Sequence, residues 1–188
     1  MYLVVRYGAE ADAAVDFFAP VAHLITPFHD ASEYEDDFGL TVRDVVRGFE
    51  AAAAREWIDL DTFDAATFEA MERLEQGDRT WLIPGCIAAL SSPGSPHTRL
   101  APAECARALA QMGVNTIVQL NEDLPYDTRA FERNGVRHVP LVYPDGDVPP
   151  DAVIDDFLAL MSQPGTVAAV HCKAGLGRTG TLAGMWMV

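Results

Sequence analysis

Apolar and polar positions follow two different rhythms along the chain. From residue 81 onward, short apolar runs at 81–83, 87–90, 116–120 ("TIVQL"), 136–142 ("VRHVPLV") and 166–171 ("TVAAVH") alternate with helical stretches at 102–112 and 151–161. That alternation predicts an α/β sheet with several parallel neighbours. The run "VAAV" does not alternate, so its strand is expected to be buried on both faces. Before residue 80 the pattern differs. "YLVVRY" reads as a strand, followed by a helix over 9–19 and a loop, "ITPFHDASEYEDDFG". From residue 41, Val42, Val45, Val46, Phe49, Ala53 and Trp57 recur at helical spacing. Residues 62–75 form a last helix with Phe63, Phe68, Met71 and Leu74 on one side and Glu69, Glu72 and Glu75 on another, closed by Gln76-Gly77-Asp78. The change of rhythm places a boundary near residue 80. Accordingly the organisation reads as an N-terminal part over 1–60, an acidic connecting helix over 61–80, and an α/β domain over 81–188.

Composition narrows the possibilities. The 188 residues are 49% hydrophobic, enough for a substantial core, and carry a net charge of −15. Such acidity argues against nucleic acid or an anionic membrane as a partner, since both need a basic face. No run approaches the ~20 apolar residues of a membrane span, and the N-terminus lacks a signal-peptide core, which points to the cytoplasm or nucleus. The three cysteines, Cys86, Cys105 and Cys172, form no C-x-x-C pair, so neither a disulfide framework nor a zinc site is expected. Cys86 and Cys105 read as core packing.

The chemistry concentrates in "VHCKAGLGRTGTL". "GLGRTG" over 175–180 matches a dinucleotide-binding G-x-G-x-x-G, but the chain has no acidic residue about 20 positions further on to hold a ribose. Nor does that reading use the cysteine. A P-loop reading fails because Thr181, not lysine, follows Gly180. Taken from His171 to Thr179 the pattern is H-C-x-x-G-x-x-R-T, and each position has a use. Cys172 lies where a strand ends and a helix begins. The backbone N–H groups of Lys173, Ala174, Gly175, Leu176, Gly177 and Arg178 can curl around a dianion, with Gly175 and Gly177 allowing positive φ. The helix N-terminus adds positive potential, which also favours a thiolate. Arg178 offers a planar fork to two phosphate oxygens, His171 positions the sulfur, and Thr179 donates its hydroxyl to it. A cysteinyl-phosphate mechanism follows, needing neither cofactor nor metal. Its proton donor must come from elsewhere, and "YPDGDVPPDAV" supplies Asp145, Asp147 and Asp151. Asp151 suits a helix N-cap, while Asp145 suits a turn at the sheet end where Cys172 emerges.

These residues, with "TPFHDAS", "VRDVVRGFEAA", "LDTFDAATFEAMERLEQGD", "WLIPG" and "IVQLN", make the chain resemble the cell-division-cycle fourteen family of dual-specificity protein phosphatases over roughly residues 25–188. The resemblance implies a catalytic phosphatase domain preceded by a second, non-catalytic phosphatase-like domain, here partial. It assigns the general acid to Asp145. It also implies that Glu69, Glu72 and Asp78 line a groove for a basic residue beside phosphoserine-proline, so that the partners are phosphorylated proteins. Three departures stand out: Gln119 occupies a position usually held by arginine, the loop over 91–104 is short, and the chain reads as truncated at both ends. Leu182, Met185, Trp186 and Val188 would then lack packing partners, favouring a phosphopeptide-binding remnant as the competing reading; a nucleotide-binding oxidoreductase is a distant third.

Overall fold

The computed structural model describes residues 1–26, 39–95, 98–122 and 126–188, so most of "TPFHDAS" lies outside the described residues. The chain divides into two compact units, 1–64 and 65–188. In the first, the described residues form helices and no strand. The apolar stretch expected as a strand is helix α1 (Tyr2–Tyr7), ended by Gly8 at φ 65°, whose N–H bonds back to the Val4 carbonyl. Strand propensity loses here because the described residues of this unit offer no strand partner, whereas Val4 can pack with Ala11 and Val46. Ala11 lies on α2 (Ala11–Asp16) and Val46 on α3 (Val42–Ala54). Helix α3 starts at Thr41, whose hydroxyl accepts the Asp44 N–H while the Asp44 carboxylate accepts the Thr41 N–H. This reciprocal cap satisfies two otherwise orphaned donors.

The second unit begins earlier than the change of rhythm near residue 80. Helix α4 (Ala65–Met71) and a single 3₁₀ turn, Leu74–Gln76, belong to it. The Leu74 carbonyl accepts the Arg99 N–H at 2.9 Å and the Thr98 hydroxyl at 3.3 Å, which ties the turn to the second unit. The expected long helix over 62–75 is broken at Arg73, whose backbone is extended, and Gly77 closes the turn in the left-handed region.

Five strands follow: β1 (Arg79–Ile83), β2 (Ile87–Leu90), β3 (Thr116–Gln119), β4 (Arg137–Pro140) and β5 (Ala168–His171). Their order is β1-β2-β5-β3-β4. The β1–β2 pair is an antiparallel hairpin and every other pairing is parallel. Helix α5 (Pro102–Gln111) and the short α6 (Arg129–Glu132), which the sequence pattern did not indicate, cover one face. There Cys105, Leu109 and Phe131 pack on Leu90, Ile117 and Ala169. On the other face α7 (Asp151–Met161) and α8 (Gly177–Met187) bring Phe157, Leu160 and Leu182 against Ile87, Val118 and Val170. Consecutive residues of β5 thus serve opposite cores, and all four are buried, as the non-alternating pattern requires. The final helix is better packed than its position suggested. Leu182 and Ala183 are fully buried and Trp186 leans on the same core, leaving Met185 and Val188 exposed.

The crossover through α5 and that through α7 run over opposite faces, and β5 sits between β2 and β3. Open α/β sheets bind ligands at such a switch point, outside the carboxyl ends of the strands. Among the described residues no helix is long and apolar enough to cross a membrane.

Candidate active site

Strand β5 ends at His171, and Cys172 begins the loop that leads into α8. The loop is held from behind by the residues that follow β2. Ser92 N–H donates to the Lys173 carbonyl at 3.1 Å, and the Ser91 hydroxyl lies 3.2 Å from the Ala174 carbonyl. Gly175 is where this contact becomes obligatory. Its φ is +75°, and a Cβ there would lie 2.4 Å from the Leu90 carbonyl oxygen. Gly177 differs from expectation. It is the first residue of α8, its φ is not positive, and nothing crowds its missing Cβ. Its role is to open the helix rather than to turn the loop.

The Cys172 thiol is buried. Burial alone would push its pKa up, but the Thr179 hydroxyl and the backbone N–H groups of Thr179, Gly175 and Leu176 together outweigh that and hold it below the ordinary thiol value. The Thr179 hydroxyl is itself buried and completes no directed hydrogen bond, so its effect on the sulfur is that of a nearby dipole. The other cysteines go the opposite way: burial pushes Cys105 up to about 12 and raises Cys86. Cys172 is therefore set apart by its surroundings as the thiol of the three that ionises most readily.

His171 is fully buried. Its Nδ1 lies 3.0 Å from the Cys172 carbonyl and its Nε2 lies 2.7 Å from the Tyr126 hydroxyl. A carbonyl only accepts, so Nδ1 carries the proton and Tyr126 donates to the bare Nε2. Burial brings the ring down to about 4, and it is neutral at physiological pH. His171 thus orients the Cys172 peptide and is not a cationic partner for the sulfur. Tyr126 was not singled out from the sequence.

Arg178 has only 3% of its side chain exposed. Its Nη1 donates to the Tyr143 carbonyl at 2.9 Å and to Glu122 Oε2 at 2.7 Å, and its Nε lies 3.2 Å from Asp145 Oδ1. The Tyr143 hydroxyl donates in turn to the Arg178 carbonyl at 3.0 Å. The structure therefore brings Asp145 to the arginine, on the loop after β4, and adds two residues that sequence reasoning missed, Glu122 and Tyr143. Burial opposes the charge on Arg178, but Glu122 and Asp145 more than offset it and its pKa is raised. The hydrogen bond from Arg178 correspondingly lowers Glu122. Asp147 sits in an exposed turn. Asp151 is the first residue of α7 and makes no capping hydrogen bond, so it acts as an acid at the positive helix end rather than as an N-cap.

The acidic residues expected to meet a basic side chain differ in their surroundings. Glu69 is exposed on α4, and Glu72 is exposed just past its end, with its N–H still bonded to the Phe68 carbonyl. Asp78 accepts the Ser91 hydroxyl at 2.5 Å, which places it against the support of the loop. Glu75 pairs with Arg99 at 2.9 Å. Gln119 is buried in β3 and donates to the Asn121 carbonyl.

A buried cysteine with lowered pKa, backbone N–H groups at a helix start and a buried guanidinium make up the candidate site. Residues 78–188 match the family described as the Swiss Army Knife protein, DSP-PTPase phosphatase domain. The chain belongs to that family. It is similar to the tyrosine-protein phosphatase cdc-14 of Caenorhabditis elegans, at 36% identity over 100% of this chain and 27% of that protein. It is likewise similar to the dual specificity protein phosphatase CDC14AB of Danio rerio, at 37% identity over 86% of this chain and 27% of that one. The chain thus spans about a quarter of the length of these relatives.

Proposed function

We propose that this chain is a protein phosphatase that hydrolyses phosphoserine and phosphothreonine at proline-directed sites, and phosphotyrosine, through a phosphocysteine. The observation that carries the reading is a buried Cys172 at the carboxyl end of β5, heading the loop into α8, whose first turn bears the buried Arg178 and Thr179. The thiolate attacks phosphorus in line and the bond to the substrate oxygen breaks. The electron pair on that oxygen takes a proton from the Asp145 carboxyl. Arg178 meets the phosphoryl oxygens, which frees Asp145 from its contact with Nε so that it can face the leaving group. In the second step water attacks the phosphocysteine, Asp145 accepts its proton, and the sulfur departs as a thiolate steadied by Thr179. Glu69, Glu72 and Asp78 supply negative charge for a basic residue downstream of the phosphoserine-proline.

The test is phosphate release from a peptide carrying phosphoserine-proline and a following lysine. Many turnovers per chain, abolished by Cys172→Ser, support the reading. Release of no more than one phosphate per chain would support the binding-remnant alternative instead.

A further inference from the structure

Beneath α4 lies a cavity of about 190 Å³, lined by Thr67, Ala70, Met71, Arg73, Gln76 and Arg79. Two of its six lining residues are arginines, in a chain whose net charge is −15. Arg79 starts β1 and is only 9% exposed, yet its Nε and Nη1 are buried without any hydrogen-bond partner. No carboxylate of the described residues lies within ion-pair distance of it, and burial pulls its pKa below the ordinary value with no carboxylate acting against it. A guanidinium does not give up its proton in a protein, and a buried charge left unpaired is costly. Folding does not require a charge here, since Arg79 neighbours Leu100 and Cys105, which are satisfied by an apolar side chain. Gly77, at φ 92°, lies close to the same guanidinium: a Cβ there would come 3.1 Å from Leu100 and 3.7 Å from Arg79 Nη1.

We propose that this cavity is a second oxyanion site, which takes a phosphate group on the Arg79 guanidinium with Arg73 and Gln76 at its mouth. It is separate from the loop around Cys172. Strand register aligns Arg79 with Leu90 and Leu90 with His171, so Arg79 stands two inter-strand spacings, about 10 Å, from the end of β5. The phosphate could be free in solution or a second phosphoryl group on a substrate; an extended peptide covers about 10 Å in three residues. The site stands whether or not the chain turns over substrate.

The test is calorimetric titration of the full chain with inorganic phosphate. Two sites are expected, one lost in Arg178→Met and the other in Arg79→Met. Methionine fills a similar volume without the unpaired charge, so Arg79→Met is expected to melt no lower than the parent in phosphate-free buffer. Arg73→Met, at the exposed mouth, weakens the same site by about tenfold, as loss of a charged hydrogen bond would. A single phosphate site in the parent chain, or a second site indifferent to both Arg79→Met and Arg73→Met, overturns the proposal. The source is read separately on Cys172→Ser. Tighter binding of a peptide with phosphoserines three residues apart than of its monophosphorylated form, lost in Arg79→Met, assigns the site to substrate. Equal binding of the two peptides, with the second inorganic-phosphate site present, assigns it to free phosphate.

Discussion

The neutral state of His171 makes stability depend on pH in a way that can be calculated. The folded ring titrates at about 4, against 6.5 for an ordinary histidine. Between those values the unfolded chain binds a proton that the folded chain refuses, so stability is complete above about pH 6.5 and is lost as pH falls toward 4. A single site with those two constants loses about 2 kcal/mol between pH 7 and pH 5, and about 3 kcal/mol once pH is below both. His171 is fully buried, so screening by water does not reduce the effect. Urea unfolding of the parent chain and His171→Asn at several pH values measures it. The difference in slope isolates His171, since His138, also pulled down by burial, is common to both. A ring-proton titration by NMR gives the midpoint directly. Tyr126→Phe removes the donor at Nε2 but leaves the ring buried, so the midpoint is expected to stay well below 6.5. A midpoint already near 6.5 in the parent, or equal pH slopes in the two proteins, would refute the assignment of a buried neutral ring.

Three further outcomes follow from the site. Gly175→Ala meets both a left-handed backbone and the Leu90 carbonyl 2.4 Å from the new Cβ, so it is expected to cost about 2–5 kcal/mol by denaturant titration and to abolish activity in whatever protein folds. Asp145→Asn lowers kcat about 10²–10⁴-fold on phosphoserine, whose alkoxide needs a proton, and much less on an aryl phosphate, whose leaving group is a weaker base; equal losses on both substrates would remove Asp145 from the acid role. Glu122→Gln takes away a carboxylate that competes with the phosphoryl group for Arg178, and KM is expected to fall about two- to fivefold, the scale of an exposed ion pair, with kcat little changed.

Much of the second unit could be read from periodicity, because its strands and helices alternate and β5 declares its burial through four consecutive small or apolar residues. Cys172, the loop after it and Arg178 stood out for a different reason: they are contiguous, so their spacing is visible in the chain. What was not legible is what folding brings from afar. Glu122 lies 56 residues from Arg178, Tyr126 lies 45 from His171, and the Tyr143 hydroxyl reaches across 35 residues. No local pattern marks a tyrosine as the donor to a distant imidazole. The strand expected at "YLVVRY" failed for a related reason. Six residues with strand propensity took the conformation their helical neighbours could pack, and propensity is a weak guide without a partner strand.

That the loop after Cys172 rests on the end of β2 has a consequence for how this thiol acquires its lowered pKa. Ser91 and Ala174 touch across 83 residues of chain, and Gly175 is shaped around the Leu90 carbonyl. Contacts of that separation form late, after the loop-closure entropy has been overcome. Until the hairpin docks beside β5, nothing holds the N–H groups around Cys172, and its thiol is an ordinary one. The lowered pKa of Cys172 is therefore a property of the assembled fold and not of the loop sequence alone. During refolding, a thiolate-directed probe of Cys172 would report the moment at which this loop, with the start of α8 formed, docks on the end of β2.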